Sequence, residues 1–163
     1  MEEKEIEVTL LEIKNLYEYF YGAYNRPGLT VDWSLLVAKN IKYLETPYNQ
    51  ISKGVYNEEK DPKFYEFKDK YEKLVRQYAD RDEQGNMIME NEEPRVTELI
   101  VEFNKEKDKL EKDYKDLLDK LNNKNTINNK FLQQKVKIKL NVLKKDNIPA
   151  LVPPFVVDMM LNH

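Results

Sequence analysis

At 163 residues the chain is long enough to bury a core without disulfide or metal staples. Its 35% of charged residues balance to a formal net charge of only −3, so it is not built overall to grip nucleic acid. The absence of cysteine excludes disulfides, thiolate nucleophiles and cysteine metal sites, and the one histidine is the terminal His163.

The acidic start, MEEKEIEVTL, lacks the basic residues and apolar run of a signal peptide, and no stretch is apolar enough for a membrane helix. A soluble protein without a membrane partner is expected. Ile6, Val8 and Leu10 alternate with Glu5, Glu7 and Thr9, which predicts a short strand with one buried face. Thr9 followed by Glu12 forms a capping-box pattern that opens a helix. There Leu10, Ile13, Tyr17, Phe20 and Tyr24 share one face, with Tyr19 off it and Tyr21 at its edge. Asn25-Arg26-Pro27-Gly28 is a stop and turn.

A second helix begins near Asp32, with an apolar row Trp33, Val37, Ile41 and Leu44 that continues through Tyr48, Ile51 and Val55. Pro47 interrupts that row and predicts a kink or a break. Asp61-Pro62 reads as an N-cap followed by a first-turn proline, opening a third helix on Phe64, Phe67, Tyr71, Leu74 or Val75, and Tyr78. Residues 80–95, DRDEQGNMIMENEEPR, are turn-rich and predict a loop or small hairpin. Val96, Ile100, Phe103, Lys107, Leu110, Tyr114, Leu117 and Leu121 then step by four and three, predicting one long helix over 96–122 with a heptad-like seam.

Residues 122–130, NNKNTINNK, read as a flexible polar linker. Beyond it, Gln134, Val136, Ile138, Leu140 and Val142 alternate with Lys135, Lys137, Lys139 and Asn141, a period-two strand with one lysine-rich face. A short helix is expected after Pro154. The expected fold is therefore mainly α: a single domain, 1–163, holding a bundle of about four helices and a two-stranded β ribbon pairing residues 5–10 with 134–142.

Two groups of residues stand out as candidate sites. Lys135, Lys137 and Lys139 project from one strand face about 7 Å apart, a spacing suited to successive phosphates. The same lysines also serve an exposed edge as a guard against aggregation. Tyr19, Tyr21, Tyr43 and Tyr48 belong to a tyrosine-rich N-terminal half, and a tyrosine combines an apolar body with a hydroxyl that needs a partner. They are the candidate protein-binding residues. Carboxylates are mixed with lysines along solvated helices. Asp80, Asp82, Glu83 and Gly85 lack the full ligand pattern of a calcium loop, and no catalytic constellation or cofactor motif is present. No enzyme activity, metal or cofactor is expected.

At Tyr78-Ala79-Asp80-Arg81-Asp82-Glu83-Gln84-Gly85 and in the tail KVKIKLNVLKKDNIPALVPPFVVDMML, the chain resembles a family of small tailed-phage proteins of unknown function. Those proteins have helices leading into a Tyr-Ala-x-x-Asp-Glu-x-Gly turn, another helix, a strand and a terminal helix. The resemblance spans roughly residues 64–163 and implies a phage origin, in host cytoplasm or virion, and a small non-enzymatic role. A virion or assembly component acting through helical surfaces, associating with phage or host protein and as a homo-oligomer, is the first expectation. The alternative is an anti-defence protein that inhibits a host effector or sequesters a nucleotide signal through the lysine row. Nucleic acid is disfavoured by the overall acidity.

Overall fold

The computed structural model describes residues 1–26 and 30–161. Pro27, Gly28 and His163, which the sequence places in a turn and at the terminus, lie outside the described residues. The fold is mainly helical, with two small antiparallel two-stranded sheets among the described residues. The chain folds as two compact units where a single domain was expected: residues 1–56 with 125–163, and residues 57–124.

In the first unit, β1 (Glu2–Thr9) pairs antiparallel with β4 (Lys135–Val142), from Glu2 opposite Val142 to Thr9 opposite Lys135. The predicted ribbon is therefore present. Its start is tied to α1 (Leu10–Ala23) by the predicted capping box: the Glu12 N–H donates to Thr9 Oγ1 at 3.2 Å, and the Thr9 N–H donates to Glu12 Oε2 at 2.7 Å. α1 buries Ile13, Leu16, Phe20 and Ala23. The buried face is thus turned from the predicted one: Tyr24 is exposed, because it caps α1 beyond Ala23, and Tyr17 is half-buried.

α2 (Val31–Gly54) is capped by Thr30, whose hydroxyl accepts from the Trp33 N–H at 3.2 Å. Pro47 does not end it. Proline removes the donor that the Tyr43 carbonyl would have met, and burial of Leu44 on one side and Ile51 on the other holds the helix together across the gap. α2 also buries Trp33, whose indole N–H meets no partner among the described residues, and Asn40.

The predicted linker 122–130 is largely helical, as α6 (Lys124–Leu132). Its polar residues find specific partners that composition does not reveal. The Asn128 side chain accepts from the Tyr56 N–H at 2.9 Å and donates to the Tyr56 carbonyl at 3.2 Å. Phe131 lies so close over Gly54 that an added Cβ would overlap its ring. Gly54→Ala should therefore destabilise the chain by ~1 kcal/mol in urea unfolding, because the overlap outweighs alanine's helix propensity gain. The expected C-terminal helix is α7 (Pro154–Leu161), burying Val156, Met159 and Met160. These side chains join Ile6, Val8, Leu140 and Val142 of the ribbon and the buried rows of α1 and α2 in one core.

The second unit is an antiparallel helical hairpin. α3 (Pro62–Tyr78) starts at the predicted Asp61 cap, where the carboxylate accepts from the Lys63 N–H at 3.0 Å. Tyr78 and Tyr71 pack edge-on against Phe103, and Phe67 packs at a tilt against Tyr114. The returning arm is not the single helix expected over 96–122. α4 (Ile100–Asp113) begins four residues late, and Tyr114, at φ −111° and ψ 24°, separates it from α5 (Lys115–Asn122). The late start follows from Asp80, whose carboxylate takes the Thr97 and Glu98 N–H groups at 3.0 Å each and holds that stretch as a turn.

Between the arms, residues 80–95 fold as a small hairpin, as the turn signals suggest. β2 (Met89–Glu90) pairs with β3 (Glu93–Pro94) through Asn91 and Glu92, both at positive φ, and Gly85 takes φ +82° in the preceding turn.

Candidate functional site

The four predicted tyrosines fall in three places. Tyr19 packs edge-on against Phe155 beside the core, and burial raises its hydroxyl above the ordinary tyrosine range. Tyr21 and Tyr48 meet through Tyr17, which stacks on them at centroid distances of 5.9 and 4.2 Å. The Tyr48 hydroxyl also reaches Glu18 at 3.4 Å. This three-ring stack lies on α1 and α2, and Tyr21 is its most exposed member at 66%.

Tyr43 goes elsewhere and joins the lysine row. Its hydroxyl donates to Glu3 Oε2 at 2.6 Å, while Lys139 Nζ lies 3.1 Å from Glu3 Oε1. The Tyr43 hydrogen bond first, then the hydrogen bond and charge of Lys139, stabilise the Glu3 carboxylate, and its pKa falls below the usual range. The Tyr43 hydroxyl is raised in turn by the same bond.

The rest of the row is built alike. Lys137 lies 3.6 Å from Glu5, and Lys135 lies 3.6 Å from Glu7. Three lysines thus face three glutamates in a cross-strand ladder, and an anion arriving there competes with carboxylates already in place. Each exposed pair contributes little stability by itself. The signal was present in the sequence, because pairing 5–10 antiparallel with 134–142 sets the glutamate alternation beside the lysine alternation.

A groove of about 640 Å³ runs between β4 and α2, lined by Leu10, Tyr43, Pro47, Gln50, Ile51, Gly54, Phe131 and residues 136–139 of β4. At one end Asn40 bridges the two elements. Its amide donates to the Asn141 carbonyl at 2.9 Å and its side-chain oxygen accepts from the Asn141 N–H at 2.7 Å, both bonds buried. At the other end Phe131 closes over Gly54. Periodicity did not single out Asn40, since it sits on the apolar face of α2 as a polar residue.

Among the described residues no group of three potential ligands could hold a metal ion. Asp82, in the turn weighed as a calcium loop, spends Oδ1 on the Gln84 and Asn86 N–H groups at 3.0 and 2.8 Å. No helix among the described residues is long and apolar enough to cross a membrane. Compared with family profiles, curated proteins and solved structures, the chain matches none.

Proposed function

We propose that this is a non-enzymatic interaction protein that works through its helical surfaces, first of all by associating with a second copy of itself. The observation that carries this reading is the thinness of the helical hairpin. α3 buries no residue fully, α4 buries only Phe103 and α5 only Leu117. Its seam residues Phe67, Tyr71, Leu110 and Tyr114 stay half-exposed, and Val101 is 75% exposed. Two helices cover each other on one side only, and a second hairpin would complete a four-helix arrangement.

The resemblance around Tyr78–Gly85 supports a phage setting, as a virion or assembly component. The glutamate partners of Lys135, Lys137 and Lys139 weigh against the nucleotide-sequestering alternative. Multi-angle light scattering should give a dimer or higher assembly that Val101→Glu dissociates while the circular dichroism spectrum is retained. A monomer at every concentration from micromolar to millimolar would overturn the reading.

A further inference from the structure

The backbone of β4 carries a feature that the helical surfaces do not explain. In an antiparallel pair, opposed residues alternate between exchanging both hydrogen bonds and exchanging none. The Leu10 N–H donates to the Gln134 carbonyl at 3.0 Å, and both backbone groups of Asn141 turn to Asn40 instead of β1. These two points set the phase of the ladder. Even-numbered residues of β4 bond β1, and Lys135, Lys137, Lys139 and Asn141 direct N–H and C=O to the outer edge. Asn40 satisfies Asn141. The backbone groups of the three lysines meet no partner among the described residues.

That open edge borders the groove beside α2. Its two sides differ in chemistry. On one, the Lys135, Lys137 and Lys139 side chains are 60–70% exposed and each holds a single carboxylate at one flank. On the other lie the apolar side chains of Leu10, Ile51, Val136 and Ile138.

We propose that this edge takes an extended peptide of another protein as an added strand, with acidic and apolar side chains alternating. Acidic residues would meet Lys135 and Lys137 from the flank opposite Glu7 and Glu5, Tyr43 of α2 already standing beside Lys139, and apolar ones would face Ile51 and Val136. The chain already holds one such strand, since Glu5-Ile6-Glu7-Val8 lies on the other edge of β4 with that alternation. The free run from Lys135 to Lys139 spans about 14 Å and suits about five residues. Two copies of β4 are a poor match, because antiparallel self-pairing sets lysine opposite lysine. The β1 strand of a second copy is not available, with Ile6 and Val8 buried in its own core.

The test is fluorescence anisotropy with the full chain and labelled, capped hexapeptides. Alternating Glu-Val should bind saturably. Alternating Lys-Val, and Glu-Val N-methylated at every second amide, should each bind at least roughly tenfold more weakly. Gln50→Trp, which fills the groove from an exposed position, should remove binding with an unchanged circular dichroism spectrum. No saturation by Glu-Val up to about 1 mM overturns the proposal. Equal binding of the N-methylated peptide, which needs no backbone edge, does so with unaltered protein. A dimer that Gln50→Trp separates would give the edge to a second copy and overturn it as well. Val101→Glu should leave peptide binding unchanged, so loss of peptide binding and loss of self-association are separate results.

Discussion

Replacing Asn40 with leucine should destabilise the protein by roughly 3–5 kcal/mol, a large part of a typical folding free energy. The Asn40 amide is a stand-in for a neighbouring strand, meeting both peptide groups of Asn141 across 101 residues of sequence. Leucine has the right size and removes both bonds at once. The Asn141 N–H and C=O are then buried without partners, and each unsatisfied group costs about 1–3 kcal/mol. Urea unfolding followed by circular dichroism measures the loss. Asn40→Ala should cost less, since the smaller side chain leaves room for water to reach Asn141. If leucine is tolerated better than alanine, packing and not peptide-group satisfaction is the role of this position.

The second large effect is expected at Asp80. Its side chain is fully buried and accepts from Arg95 Nε at 2.7 Å, from the Thr97 hydroxyl, and from the Thr97 and Glu98 N–H groups. The Thr97 hydroxyl above all, then the Glu98 and Thr97 N–H groups, holds the carboxylate far below the usual range. Asp80→Asn replaces an acceptor with a donor facing donors. It should lower the melting temperature by roughly 10 °C and abolish exchange protection of the Ile88 and Arg95 amides, which the Asp80 turn organises.

The pH dependence has a definite sign. The folded pKa lies below the unfolded value, so on acidification the unfolded chain takes up the proton first. The stabilisation is complete above about pH 5, and it is lost as the pH falls through 3.8 towards the folded value. The gap in melting temperature between wild type and Asp80→Asn should therefore narrow between about pH 5 and pH 2. A gap that stays constant would mean that Asp80 acts through shape alone.

Both residues show why some of this protein could be read along the chain and some could not. The capping box at Thr9 and Glu12, the Asp61-Pro62 helix start and the two strand alternations are signals within a few residues of each other, and all are present in the fold. Asp80 sat in a segment read for its turns and weighed only as a failed calcium ligand, because Arg95, Thr97 and Glu98 lie 15 to 18 residues away. Residues 122–130 read as a linker for the same reason: nothing local shows that Asn128 will meet Tyr56 across 72 residues. The row at 96–121 showed its helical period correctly and missed its interruptions, one made by Asp80 and the other at Tyr114.

Tyrosines were legible as a group and not one by one. Helical spacing put Tyr24 inward and Tyr19 off the face. A rotation of the buried face by about one residue, decided by what packs on α1, leaves Tyr24 exposed and sets Tyr19 against Phe155.

What the sequence determined by itself is the capped helix starts, the ribbon and the chemistry on each strand face, since a hydrogen bond to a near neighbour and a side-chain period need no distant partner. Tertiary structure alone decided the division into two units and the reach of Tyr43 to Glu3. It also decided which asparagines and which aspartate are buried, and that the outer edge of β4 opens on a groove. A buried polar group is stable only beside its complement, and where that complement lies depends on how the whole chain closes.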